Sequence, residues 1–125
     1  MKIRVYFEDT DIGGIVYHSK YINFCERARS EILFSKGLTP FNKNTNSGYI
    51  VKSLNCNFIK SATLGDILEV KSKVISKSRV SFTLLQEIFK DNKKIFSMEI
   101  VLVYLKNGKP SRLEERFLEL FEWID

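Results

Sequence analysis

The strongest constraint on the fold is a change of period along the chain, from helical to alternating, after one long amphipathic segment. Between His18 and Lys36, apolar side chains recur at helical spacing. They cover roughly half of the helix circumference: Tyr21, Ile22, Phe24, Cys25, Ala28, Ile32 and Leu33. Gly37 and Pro40 end the segment. So wide an apolar surface predicts a helix that is covered on more than one side.

After a polar loop, apolar and polar residues alternate almost to the end of the chain. A period of two, interrupted by short turns, predicts four strands: Tyr49–Lys60, Leu68–Val74, Val80–Ile88 and Ile95–Leu105. A further strand is predicted before the helix, over Lys2–Glu8. Short connections imply antiparallel neighbours, and such strands match the helix in length. The pattern therefore predicts an α+β fold, a five-stranded antiparallel sheet wrapped around one long helix.

Two finer expectations concern the packing of this fold. In the strand that follows the polar loop, Ile50, Leu54, Cys56 and Phe58 are expected on one face. Near the end of the chain, apolar residues at helical spacing predict a short C-terminal helix: Leu113, Phe117, Leu120, Phe121 and Ile124. Its opposite face is acidic, with Glu114, Glu115, Glu119 and Glu122. This helix is expected to pack on the fold or on a partner.

Composition sets the class of protein. The 125 residues, 44% hydrophobic and 28% charged, predict one globular domain over residues 1–125. The longest apolar run, Ile100–Leu105, is too short to span a membrane, and the first nine residues turn acidic where a leader would be apolar. A cytoplasmic protein is therefore expected. Cys25 and Cys56, in apolar surroundings without a metal-ligand motif, are expected to be reduced thiols.

The net charge of +5 is ambiguous by itself. It suits nucleic acid, an anionic membrane surface or a phosphate-bearing ligand, and it is equally explained as background composition. Within the helix, Arg29 falls on the apolar side, where an unpaired guanidinium would be costly. Glu26, one turn earlier, is its expected partner, in a packing pair rather than a catalytic one.

The segment between the first strand and the helix carries the densest chemistry. It contains Asp9, Asp11, Gly13, Gly14 and the single histidine, His18. A helix N-terminus presents unpaired N–H groups that can bind an oxyanion, and a carboxylate beside it can serve as base or nucleophile. Two other interpretations stay open at this point: aspartates that only shape a turn, and a metal site that lacks an obvious further ligand.

Residues Asp9–Tyr21 follow the pattern D-x-D-x-x-G-x-V-Y-H-x-x-Y, and Glu26-Arg27-Ala28-Arg29 follows on the helix. This chain thereby resembles the 4-hydroxybenzoyl-CoA thioesterase family, and within it the YbgC-type acyl-CoA thioesterases. The resemblance continues through Gly65-Asp66-x-Leu68-x-Val70 to Asn107-Gly108. It implies the hotdog fold and hydrolysis of acyl-CoA. The chain departs from the family at Phe7, often a tyrosine, and at Phe58-Ile59-Lys60-Ser61-Ala62, often Y-x-x-P-A.

The resemblance also implies roles for particular residues. Asp11 would be the catalytic base or nucleophile, and His18 would orient water or the thioester. The oxyanion and positioning set comprises Gly14, Val16, Tyr17 and Tyr21, with the N–H groups of Val16 to His18 as donors. The phosphates of coenzyme A would meet Lys77, Arg79, Lys109 and Arg112. No cofactor and no metal are implied.

The family implies partners as well. Acyl-CoA is the expected substrate, acyl carrier protein remains an alternative donor, and the chain is expected to form a homodimer or homotetramer that serves lipid metabolism. Nucleic acid is not expected, because no basic stripe with interleaved aromatics is present. Two other functions stay open: a non-catalytic module that binds acyl-CoA or acyl carrier protein, and a hotdog dehydratase or hydratase. The D-x-D-x-x-G-x-V-Y-H pattern favours the thioesterase.

Overall fold

The computed structural model describes residues 1–121; Glu122 and Ile124 of the predicted C-terminal helix lie outside this range. The helices are α1 (His18–Phe34) and α2 (Glu115–Leu118), with single 3-10 turns at Phe7–Asp9 and Glu119–Phe121. The strands are β1 (Lys2–Arg4), β2 (Phe41–Asn42), β3 (Ser47–Phe58), β4 (Ile67–Lys77), β5 (Ser81–Lys90), β6 (Lys93–Lys106) and β7 (Lys109–Pro110).

All strands belong to one antiparallel sheet in the order β1-β4-β5-β6-β3-β2, and β7 pairs with β6. The predicted α+β fold is confirmed, with two additional strands of two residues each at the rim. The first strand is shorter than predicted. It ends at Arg4 because the chain turns into the 3-10 helix, where the N–H of Tyr6 donates to the carboxylate of Asp9.

The core lies between α1 and the middle of the sheet. Tyr21, Phe24, Cys25, Ala28 and Leu33 supply the buried face of α1. Fully buried side chains of β4, β5 and β6 form the opposite wall: Leu68, Leu84, Ile88, Phe96, Met98 and Ile100. Burial raises the pKa of the Cys25 thiol to about 12, so it behaves as a small neutral hydrophobe. Cys25 and Cys56 are both free thiols, as predicted.

A bulge in β3 changes which of its residues face the helix side. Between Val51 and Ser53 the pairing with β6 shifts by one residue. Leu54 therefore lies opposite the buried Ile100, whereas Val51, and not the predicted Ile50, shares its face. The prediction for Ile50 was wrong because one extra residue reverses the alternation.

Candidate active site

Asp9 builds the loop that precedes α1. Its side chain is only 1% exposed, and one carboxylate oxygen accepts the N–H of Tyr6 at 2.9 Å. Its backbone carbonyl accepts the N–H of Tyr17, also at 2.9 Å. The same residue therefore holds both ends of the loop, and its carboxylate is buried.

Asp11, two residues further on, is exposed instead. Its N–H donates to the carbonyl of Ile15, and its own carbonyl accepts the N–H of Gly14. One side-chain oxygen accepts the N–H of Gly13 at 2.9 Å. Within residues 1–121 the second oxygen accepts no hydrogen bond and makes no ion pair. Gly14 has φ of 80°, a left-handed conformation that favours glycine, and it turns the chain back toward α1.

The start of α1 differs from the prediction in which N–H groups are free. The N–H of Val16 donates to the carbonyl of Ala62, and the N–H of Tyr17 donates to Asp9, both at 2.9 Å. These two groups were predicted as oxyanion donors, but their bonds to the neighbouring backbone leave them occupied. In the described part of the chain, the N–H groups of His18 and Ser19 at the first turn have no acceptor. They are the donors that a bound oxyanion would meet.

Two ring side chains flank this helix start. The exposed imidazole of His18 lies against Tyr17, with ring centroids 4.3 Å apart, and faces the edge of Phe58. Tyr21 is buried, stacks on Phe96, and its hydroxyl accepts the N–H of Ala62 at 2.9 Å. Tyr21 therefore holds the segment around Ala62 against α1.

A groove of about 350 Å³ runs between the start of α1 and the end of β3. It brings together five of the predicted residues: Asp11, Val16, Tyr17, His18 and Tyr21. Gly14 shapes the loop but does not line the groove. Neither does Phe7, which is 78% exposed, so its missing hydroxyl leaves the walls unchanged.

The opposite wall of the groove was missed by sequence reasoning. It consists of Phe58, Ile59, Lys60 and Ser61, which follow directly from β3. The sequence signal that could have identified this wall was the departure of Phe58-Ile59-Lys60-Ser61-Ala62 from the family pattern. Lys60 adds the one cationic side chain among the described residues that line the groove.

The predicted coenzyme A residues lie elsewhere. Lys77, Arg79 and Arg112 gather around a second depression of about 330 Å³. Across the paired strands, Phe58 at the groove lies in the same row of the sheet as Val70 of β4. Lys77 is seven residues further along β4, so the depression and the groove are roughly 20 Å apart. Lys77 is also paired with Glu115 at 2.7 Å. Lys109, in β7 beside Lys106, does not line this depression.

Neither a metal-binding cluster nor a membrane-spanning helix is found in the part of the chain that the structure describes. Over residues 1–121 no three His, Cys, Asp or Glu side chains lie close enough to hold a metal ion. Over the same range no helix has both the length and the apolar character that crossing a membrane requires.

Comparisons with known proteins point to one family. Residues 13–96 match the family model described as "Thioesterase superfamily". The acyl-CoA thioesterase YbgC of Helicobacter pylori is 33% identical over 99% of this chain and 100% of the relative. The acyl-CoA thioester hydrolase YbgC of Escherichia coli is 33% identical over 81% of this chain and 76% of the relative. A crystal structure of a hypothetical protein from Aquifex aeolicus superposes with a TM-score of 0.86 at 29% identity, covering 98% of both chains.

Proposed function

This chain belongs to the thioesterase superfamily, and from that premise we propose that it hydrolyses the thioester bond of acyl-CoA in the groove beside α1. The products are a free acid and coenzyme A. One observation carries the proposal: the Asp11 carboxylate lines the groove at the start of α1, where the N–H groups of His18 and Ser19 have no acceptor among residues 1–121. A carboxylate next to unpaired N–H donors is what acyl transfer requires.

The helix start supplies the electrostatic part of the mechanism. With the thioester carbonyl oxygen at the N–H groups of His18 and Ser19, the negative charge of the tetrahedral intermediate develops on two fixed donors. Because these donors already point outward, little reorganisation is needed when the charge forms. Losing one such donor typically raises the barrier by about 3 kcal/mol. The partial positive charge of the helix N-terminus acts in the same direction.

Asp11 supplies the nucleophilic part by one of two routes. As a general base, its free oxygen takes a proton from water, the water oxygen attacks the carbonyl carbon, and the carbon–sulfur bond breaks with a proton passing to the thiolate. As a nucleophile, the same oxygen attacks the carbonyl carbon and displaces the coenzyme A thiolate, which gives a mixed anhydride; water then hydrolyses the anhydride to the free acid and the regenerated carboxylate. A single turnover in ¹⁸O-labelled water tests the second route, because attack of water on the aspartyl carbon of the anhydride leaves label in Asp11, whereas the general-base route leaves no label in the protein.

His18 and Lys60 complete the proposed site. The imidazole of His18 is exposed at the groove wall, where it orients the attacking water or the thioester. Lys60 stands on the opposite wall, close to where the pantetheine arm would leave the groove. A phosphate of coenzyme A is a natural partner for this ammonium group. Lys60 therefore replaces the distant Lys77 cluster as the proposed phosphate contact of the same chain.

A second copy of the chain is expected to complete the groove. α1 packs on β4 and β5 and leaves the inner face of β3 uncovered: Val51 is 50% exposed, Leu54 40% and Phe58 51%. A row of apolar side chains beside an edge strand favours pairing with another chain. The proposed working unit is thus at least a homodimer.

The activity is tested by thiol release from purified protein with acyl-CoA of increasing chain length, aromatic acyl-CoA, and the same acyl groups on acyl carrier protein. We expect saturable thiol release from at least one of these sets of substrates. Comparison of the rates with acyl-CoA and with acyl carrier protein shows which of the two carriers the enzyme uses. Binding of acyl-CoA without thiol release from any donor would contradict it and indicate a binding module. Hydration or dehydration without release would indicate the rival enzyme class.

A further inference from the structure

A cavity distinct from the groove and from the depression at Lys77 lies beneath the C-terminal half of α1. Its volume is about 220 Å³, and Asp11 does not line it. Along α1, Arg29 at its wall is eleven residues from His18, or roughly 16 Å. Most of the wall is apolar, from β3, β5, β6 and the last described residue: Val51, Phe82, Leu102 and Phe121.

One residue of the cavity wall, Arg29, is positively charged, and hydrogen bonds hold its side chain in place. The half-buried guanidinium of Arg29 donates to the side-chain oxygen of Gln86 at 2.8 Å. Gln86 is fully buried, and its amide nitrogen donates to the carbonyl of Cys25 and to the hydroxyl of Ser72. This network replaces the predicted pair with Glu26, because Gln86 reaches Arg29 from the middle of the sheet. Among residues 1–121, Gln86 is the only acceptor of a hydrogen bond from Arg29.

The remaining guanidinium N–H groups of Arg29 therefore have no protein acceptor in the described chain. Glu26 is the other charged residue at the wall, but it is exposed and accepts the hydroxyl of Ser30 at 2.8 Å. Burial lowers the pKa of Arg29, while the nearby Cys25 and Glu26 act in the opposite direction. A desolvated cation with free donors is stabilised by an anion placed against it.

Size and wall chemistry limit what that anion can be. An apolar cavity of about 150 Å³ suffices to hold benzene, so about 220 Å³ holds one ring or a short chain together with a carboxylate. We propose that this cavity binds a small monocarboxylate, with a ring or about six carbons against Phe82 and Leu102 and the carboxylate on Arg29. The reaction proposed above releases acids of this class when the acyl group is short or aromatic.

Calorimetric titration tests the site with benzoate and its neutral isostere benzamide. The wild-type protein should bind benzoate saturably and at least about tenfold more tightly than benzamide. Arg29→Met should abolish that difference, whereas Arg27→Met, at an exposed position of the same helix, should preserve it. Equal affinity for the two probes, or unchanged benzoate binding by Arg29→Met, would overturn the proposal.

A second measurement needs no variant at the site. Benzoate titrated into the ¹⁵N-labelled wild-type protein should shift the amide resonances of Val51, Phe82 and Leu102, and Asp11→Asn should bind it with unchanged affinity. Shifts confined to Asp11 and His18 would place the probe in the catalytic groove, and absence of saturable shifts would exclude a site. Because benzoate binding is read without turnover, its failure is separate from failure of the proposed hydrolysis.

Discussion

The two ends of the sheet both carry residues with a predicted function, and they are built differently. At the end near the start of α1, the buried Asp9 holds a loop that leaves Asp11 exposed beside two N–H groups, those of His18 and Ser19, that have no acceptor among residues 1–121. At the opposite end, the exposed Lys77 ends β4, Arg79 lies in the exposed connection to β5, and Lys77 is already paired with Glu115. The first end is a loop held by backbone hydrogen bonds, whereas at the second end exposed cations line a shallow depression and one of them is paired with a carboxylate.

The difference shows what distinguishes a site from a cluster of suitable residues. Asp9 and Asp11 have the same side chain and are separated by one residue, yet one is 1% exposed and the other lies open at the groove. Backbone hydrogen bonds, rather than residue type, assign these roles. The four predictions below test this difference, the first three through activity or assembly and the last through stability.

The largest expected effect is at Asp11. Asp11→Asn keeps the hydrogen bond to Gly13 but removes the base or nucleophile, so kcat should fall by about a hundredfold or more. The matched control is Asp91→Asn, at an exposed turn where φ of 49° suits asparagine. Thiol-release kinetics measure both, with thermal unfolding as the check on folding. Near wild-type turnover by Asp11→Asn would move the chemistry elsewhere.

The next effect concerns the uncovered inner face of β3, where a second copy of the chain is proposed to pack. Leu54→Lys places a charge in the uncovered inner face of β3, so the protein should elute as a monomer and lose about tenfold or more in activity. Ile75→Lys is the control, at a strand position of similar exposure, 43% against 40%. Size-exclusion chromatography with light scattering gives the mass. A monomeric variant with full activity would show that one copy contains the whole site.

A smaller effect compares the cations of the two ends. Lys60→Met should raise the KM for acyl-CoA by roughly threefold to tenfold with little change in kcat, because one charge-assisted contact to phosphate is lost. The combined variant Lys77→Met, Arg79→Met, Arg112→Met should change KM by less than about threefold, as expected for solvated surface charges. A larger increase in KM for the combined variant than for Lys60→Met would restore the Lys77 cluster as the coenzyme A site and contradict the assigned difference between the two ends.

The smallest effect is a pH dependence of stability at the α1 end. Burial alone would raise the pKa of Asp66, but hydrogen bonds from Thr63 and the ion pair with Lys90 lower it overall. Because the pKa of Asp66 is lower in the folded protein than its ordinary value of 3.8, the ionised carboxylate stabilises the fold at pH values above 3.8. This stabilisation is lost as the pH falls through the pKa of the folded protein. Thermal unfolding should therefore shift by a few degrees less between pH 6 and pH 3 in Asp66→Asn than in the wild-type protein. Equal shifts would assign the acid sensitivity to other groups.

The parts of the fold that could be read from the sequence are those set by local periodicity. The helix from His18 and the four long strands follow from spacing alone, and the loop from Asp9 to His18 follows from its motif. The bulge at Val51 could not be read, because it depends on how β3 pairs with β6. Nor could the bond from Arg29 to Gln86, which joins residues 57 positions apart.

The candidate site was predicted only in part for a similar reason. A motif identifies Asp11 and His18, but whether an N–H group is free depends on acceptors such as Ala62 that lie far along the chain. The positions of Lys60 and Lys77 relative to the groove are likewise a property of strand register. Residue types could be chosen from sequence, and their hydrogen-bond partners could not.

The central claim is most directly tested by the crystal structure of the protein with a non-hydrolysable acyl-CoA analogue. The account predicts the carbonyl oxygen within hydrogen-bonding distance of the N–H groups of His18 and Ser19, with the Asp11 carboxylate beside the carbonyl carbon. A carbonyl bound away from the start of α1, or an analogue held at Lys77 and Arg112 with the groove empty, would contradict it.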